Sequence, residues 1–339
     1  MIVPLLLVVF SMQTEPGLRE DVRRSPRGFE ANHALGEFLL QSGRPKDAVG
    51  FLEIARTAKP SHTANRHDLA LAYLQSGAPA KAKPLIDALT SSGVAAPNLE
   101  GHYWRAMGDA QAAALAFQRA AETDPTENNL FDLADHLLAH RGFQDGRKVL
   151  LWSVERYPKS PRLRVALGVA QYSLGNYDQA VETLCAAVDL DPEDPRPLTF
   201  LGQMIDVSPT LGEDLARRLA VMSEKYPKNA QAQYFYAMSL LAVGRGEEQT
   251  AKAEGLLKAA ATLDQRDYRP HLELGKIYAA SNRLAEAVKP LQAALQRDAN
   301  VEASHYRLAQ VYLRLKRPDL AAPHLAAYQK LHTVASKKK

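Results

Sequence analysis

A pattern of about 34 residues that returns nine times constrains this chain more than any other feature of it. Its most regular copy spans residues 161–194. There, Val165 to Leu174 and then Tyr177 to Leu190 read as two amphipathic helices joined by a tight turn. Gly175-Asn176 ends the first helix, because glycine takes the left-handed cap conformation at low cost. Asp191-Pro192 closes the second, since proline restricts the residue before it and cannot continue a helical ladder. Gly168 and Ala180 put one small residue on each helix, which lets the two axes approach while Leu167, Leu184 and Ala187 fill the contact around them. One such hairpin cannot bury its own apolar faces, so the pattern predicts an array.

The array is present. The first-helix pair recurs as Leu35-Gly36, Leu69-Ala70, Glu100-Gly101, Leu133-Ala134, Leu167-Gly168, Leu201-Gly202, Tyr236-Ala237, Leu274-Gly275 and Leu308-Ala309. The second-helix small residue recurs as Ala48, Ala82, Ala113, Gly146, Ala180, Ala253, Ala287 and Ala321, and a closing proline as Pro60, Pro125, Pro158, Pro192 and Pro227. Repeats six and seven depart from the rule. Val207 to Gly212 replaces the compact turn, Leu215 stands where the second helix has its small residue, and about four residues are inserted around 244–248. Pro84, Pro290 and Pro323 are expected early in second helices, where proline costs little, with Pro290 late enough to kink its helix.

Unit length, the small-residue pair, the recurring Leu39, Tyr73, Trp104, Leu137, Tyr278 and Tyr312, and the prolines together resemble the tetratricopeptide repeat family over residues 29–331. The resemblance implies an all-α, right-handed α-solenoid of tandem helix-turn-helix repeats with a concave groove lined by the first helix of each pair. It implies a non-catalytic scaffold for a protein or peptide partner, but no particular ligand, since such repeats serve many. Carried onto this sequence, the family's concave positions give Phe131, Asp135, Leu138, Val165, Val169, Tyr172, Tyr234, Met238 and Leu241 as the peptide-binding groove. Polar concave positions include Asn98, His102, Arg105, Lys276, Gln310 and Arg314, together with Asp206. The lysine–asparagine set with which some family members clamp a terminal carboxylate is absent as a group.

The flanks lie outside the repeat. Residues 1–12 form an apolar run too short to span a bilayer but of the length of a signal-peptide core, so export to the periplasm or beyond is the expectation and cytoplasmic residence the alternative. Residues 13–28 read as a polar linker, 29–331 as the solenoid, and 332–339 as a basic disordered tail. Without a polar cap on the last repeat, self-association through the C-terminal repeat is a further expectation.

Charge and chemistry narrow the function. With 42 basic and 38 acidic residues, the net charge of +4 is too weak a bias to argue for nucleic acid, which leaves an RNA-binding helical array as a disfavoured alternative. Cys185 is the one cysteine, so no intrachain disulfide and no thiolate zinc site can form. His136 and His140, four apart on one helix face, are the best case for a metal-dependent enzyme. They lack a third ligand and the zinc-hydrolase pattern, so two exposed or groove-edge histidines are expected instead. No phosphate loop, nucleophile elbow or paired-acid pocket is legible, and no cofactor or metal is expected.

Overall fold

The structure, a computed structural model, describes residues 14–336 apart from Asp206, Ser208 and Arg245. The apolar run 1–12, Asp206 and the lysines 337–339 therefore lie outside the described residues. The described residues form nineteen α-helices and no strand. Helix α1 (Glu15–Arg24) precedes nine hairpins. The first four are α2 (Phe29–Gln41) with α3 (Pro45–Ala58), α4 (Thr63–Gln75) with α5 (Pro79–Ser91), α6 (Pro97–Met107) with α7 (Ala110–Thr123), and α8 (Glu127–Ala139) with α9 (Phe143–Arg156). Next come α10 (Pro161–Ser173) with α11 (Tyr177–Leu190), α12 (Pro195–Gln203) with α13 (Pro209–Lys225), and α14 (Ala230–Val243) with α15 (Glu247–Leu263). The last are α16 (Arg269–Ala280) with α17 (Leu284–Arg297) and α18 (Glu302–Arg314) with α19 (Pro318–Ser336). The chain divides between Ser153 and Val154 into two compact units, each an all-α stack of hairpins.

Local chemistry sets the hairpin. The Ser160 hydroxyl accepts the Leu163 N–H and so satisfies one of the free donors at the start of α10, with Pro161 beside it in the first turn. At the other end Gly175 takes φ 76°, where its N–H donates to the Tyr172 carbonyl and that of Asn176 to the Gln171 carbonyl, both at 2.9 Å. Arg141, Asn282 and Lys316 make the same left-handed turn with φ near 60°, at a cost that glycine avoids.

In four of the hairpins, packing depends on the missing side chain of one glycine. A Cβ on Gly168 would lie 2.6 Å from Leu184, and the same holds for Gly36 on Leu52, Gly101 on Phe117 and Gly275 on Leu291. Each large residue is sixteen positions further on, and all four are wholly buried. Burying one such leucine stabilises the stack by about 2 kcal/mol. A core from Leu18 to Leu99 serves the first unit, and one from Ala180 to Ala321 the second.

The structure departs from expectation at both flanks. Residues 15–24, within the expected polar linker, form α1. Leu18 is only 2% exposed and Val22 packs beside it on the first core, while Glu15 pairs with Arg44 at 2.8 Å. Two apolar residues four apart are enough to seat one short amphipathic helix. At the other flank α19 runs on to Ser336, through the start of the expected tail, with His332 bonded to Glu302 at 2.8 Å. Pro84, Pro290 and Pro323 lie inside α5, α17 and α19, in the second turn or its edge rather than the first. No described helix is long and apolar enough to cross a membrane.

Candidate functional site

A cavity of about 1140 Å³ opens in the second unit along the first helices of repeats six to nine. Tyr234, Phe235, Met238 and Leu241 of α14 give it an apolar floor, which Ile277 on α16 and Val311 and Leu313 on α18 extend. Gly202, in the last turn of α12, and Ile205, just beyond it, line the remaining side. Helix α12 is short, nine residues against thirteen in α10, so the wall it forms is low.

The two irregular repeats shape this floor. Gly202 breaks the rule of the other hairpins, because Arg218 stands sixteen residues on and turns to Asp214, at 2.7 Å. The space above Gly202 is taken instead by Phe235 from the following repeat, whose ring lies where a Cβ would come within 2.1 Å. Arg269 stacks on Tyr234 at 4.9 Å from the ring centre while a two-pronged bond to Asp267 fixes its guanidinium. Burial pushes the Tyr234 hydroxyl well above the ordinary tyrosine range, so it stays protonated. Charged groups sit around the apolar floor. Glu273 and Lys276 on α16 pair at 2.7 Å, and Arg307 and Arg314 stand on α18.

Of the groove residues expected from the sequence, Tyr234, Met238 and Leu241 line this cavity. Val165, Val169 and Tyr172 belong to α10 and lie outside its lining; Val165 is buried, and Tyr172 meets Tyr177 edge-on at 5.7 Å. Phe131, Asp135 and Leu138 belong to α8 of the other unit, where Leu138 fills the space beside Gly146 and Asp135 pairs with Arg105 at 3.2 Å. Sequence reasoning passed over Phe235, Glu273, Arg307 and Leu313. One signal for Phe235 was available, namely that Gly202 lacks a large apolar residue at the sixteenth position.

Several polar concave positions of the first unit bond one another. His102 and Asn98 both bond the Asp132 carboxylate, at 3.1 and 2.9 Å. Burial alone would raise that carboxyl, but these hydrogen bonds outweigh it and hold it below its ordinary value. His136, expected on the surface, is 1% exposed. Its Nε2–H donates to the Ala110 carbonyl at 2.9 Å, and its ring packs against Phe117 and His140. Burial lowers its basicity, and with Nε2 occupied by a carbonyl it is not half of an open metal pair. Among the described residues no group of three or more His, Cys, Asp or Glu side chains is placed to hold a metal ion. Burial likewise pushes the Cys185 thiol up to about 11, away from reactive thiolate character.

Two family models, both described as tetratricopeptide repeat, match the sequence. One covers residues 131–195, 245–302 and 272–335, the other 25–99, so together they take in more than half of the chain. The chain belongs to the tetratricopeptide repeat family. No curated protein matches its sequence. Among solved structures it is similar to pilF of Pseudomonas aeruginosa, at 17% identity and a TM-score of 0.45, over 62% of this chain and 98% of that one. Yeast Tom70 is similar at 15% identity and a TM-score of 0.41, over 96% and 92%. YrrB, described as a tetratricopeptide repeat protein with an unusual peptide-binding site, is similar at 16% identity and 0.36, over 55% and 98%. Tetratricopeptide repeats place the chain among protein–protein interaction scaffolds in general.

Proposed function

We propose that this chain is a non-catalytic scaffold that holds a peptide segment of its partner in the groove of the second unit, against Tyr234, Met238 and Leu241. One observation carries the reading: an open cavity of about 1140 Å³ with an apolar floor drawn from several first helices of the second unit. Apolar side chains of an extended or helical segment gain affinity by burial on such a floor, and a few anchors supply most of it. No group of three or more His, Cys, Asp or Glu side chains converges among the described residues, which favours binding over metal-dependent catalysis.

Met238 and Leu241 are half-buried, so replacing both by aspartate puts charge on the floor without emptying the core. Peptides that bind the native chain should lose affinity by at least about thirtyfold, a floor contact of about 2 kcal/mol. Helicity by circular dichroism should be unchanged. Unchanged affinity would sink the assignment of the groove. Export on residues 1–12 remains a separate proposal, tested by N-terminal sequencing of the protein from its source cell; a start at Met1 would end it.

A further inference from the structure

The charges around the groove do not balance. Glu273 and Lys276 neutralise each other at 2.7 Å. Arg307 donates only to the Gln310 side-chain oxygen, at 3.3 Å, and Arg314 to the Ala279 carbonyl and the Asn282 side-chain oxygen, both at 2.9 Å. None of these acceptors carries a charge. In the same unit Arg196, Arg269 and Arg283 each hold a carboxylate at 2.7 Å, and Arg317 one at 2.9 Å. Arg164 and Arg297 of this unit likewise bond carbonyls and no carboxylate, but neither lines the groove; Arg307 and Arg314 do, and both are exposed.

A guanidinium has five N–H donors, so three remain on Arg314 and four on Arg307. Arg314 has a structural role as well, since it places a cation on the carbonyl end of α16. That role uses its two bonds and says nothing of Arg307. The pair stands seven residues apart on α18, two turns, or about 10.5 Å along the axis. Acidic side chains two turns apart on a helical segment, or about three residues apart on an extended one, match that spacing.

We propose that the groove selects an acidic peptide segment, its carboxylates on Arg307 and Arg314 and its apolar side chains on the α14 floor. The proposal rests on the reading of the groove as a peptide site and adds the chemistry of the occupant. Rim arginines of this kind set selectivity and encounter rate, and the apolar floor supplies the bulk of the affinity.

Selection of short random peptides on the full chain, followed by fluorescence anisotropy of the recovered peptides, tests it. The recovered peptides should be acidic, and exchanging their Asp and Glu for Asn and Gln should weaken binding about tenfold. The Arg307→Glu, Arg314→Glu protein should lose the acidic peptides and gain the versions carrying Lys in place of Glu. Its melt should fall, because Arg314 also holds the end of α16, whereas Arg307→Glu alone should shift peptide preference with its melt unchanged. Neutral peptides that bind as well as acidic ones, yet are lost in Met238→Asp, would overturn the acidic preference and leave the peptide site standing. Peptides indifferent to Met238→Asp, or no recovered peptides, would overturn both. Competition by random RNA or phosphatidylserine vesicles, dependent on the same two arginines, would replace the acidic peptide with a different polyanion.

Discussion

Hairpin α10–α11 and the two irregular repeats α12–α15 are built from one pattern and solve different problems. In the regular hairpin the contact is private: Gly168 receives Leu184 of its own second helix, and both are enclosed. In repeat six the contact passes forward, since Gly202 receives Phe235 of the next repeat, and Leu215 and Leu219 of α13 enter the core in its place. The regular hairpin propagates the stack. The irregular pair spends its glycine on a close approach between neighbouring first helices, and the cavity floor is the result.

The sharpest way to break this comparison is to fill the two glycines. Gly168→Val should destabilise by about 3 kcal/mol, because the added carbons meet the enclosed Leu184, and Gly202→Val by about 2 kcal/mol, because Phe235 can give towards the cavity. Double-mutant cycles in urea separate them. Gly168→Val should couple to Leu184→Ala, and Gly202→Val to Phe235→Ala, by about 1–2 kcal/mol. Gly202→Val should show no coupling to Arg218→Ala. Coupling of Gly202 to Arg218 would mean that repeat six closes on itself like the others.

Much of this architecture was legible in the sequence, because a small residue on each helix, twelve positions apart, and a closing proline are a local rule that repeats. Helix α1 was not, since its apolar content is Leu18 and Val22 in a stretch dominated by charge and opened by Pro16-Gly17. The groove was legible only in part. The same first-helix position yields Val165 in α10 and Tyr234 in α14, both nearly buried, yet only the latter edges a cavity. What differs is the neighbouring helix: α12 stops at Gln203, and no residue of α10 itself records how long the next first helix is. The four inserted residues of repeat seven fall before Ala253, and α15 absorbs part of them by growing to seventeen residues.

Repeat seven differs from the regular repeats in a second, smaller way, through the residue at its seam. Regular seams join a first-helix tyrosine to the preceding second helix, as Tyr73 to Glu53 and Tyr312 to Gln292, twenty residues apart. At the seam after repeat seven that place is held by Lys258, and Tyr278 reaches Glu254 one turn earlier, at 2.9 Å. Arg283 bonds the same carboxylate at 2.7 Å and Lys258 at 2.6 Å. The hydrogen bond from Arg283, then those from Lys258 and Tyr278, hold Glu254 down to about 2 against the effect of burial. A depressed carboxylate stabilises the fold fully above its ordinary value of 4.5, and that contribution is lost as pH falls through about 2. With partners that reach solvent, the contribution is on the order of 1 kcal/mol. Denaturation midpoints of the native chain and Glu254→Gln should therefore differ most above pH 4.5 and converge towards pH 2. A difference independent of pH would assign the effect to packing alone.

The smallest effect lies in the turns, and it ranks repeats by how well each suits the shared backbone. Gly175 and Lys316 occupy the same left-handed position, at φ 76° and 59°, with the same pair of carbonyl bonds closing the turn. A side chain there costs about 1 kcal/mol, partly offset because glycine gives the unfolded chain more freedom to lose. Gly175→Ala should thus lower the stability of the second unit by somewhat under about 1 kcal/mol, and Lys316→Gly should raise it by about half of that. Thermal melts of the two single variants suffice, since a shift of equal sign in both would show that the turns differ in more than their φ. Opposite signs would show that the compact turns of the seven regular repeats share one geometry and differ only in how well each residue suits it.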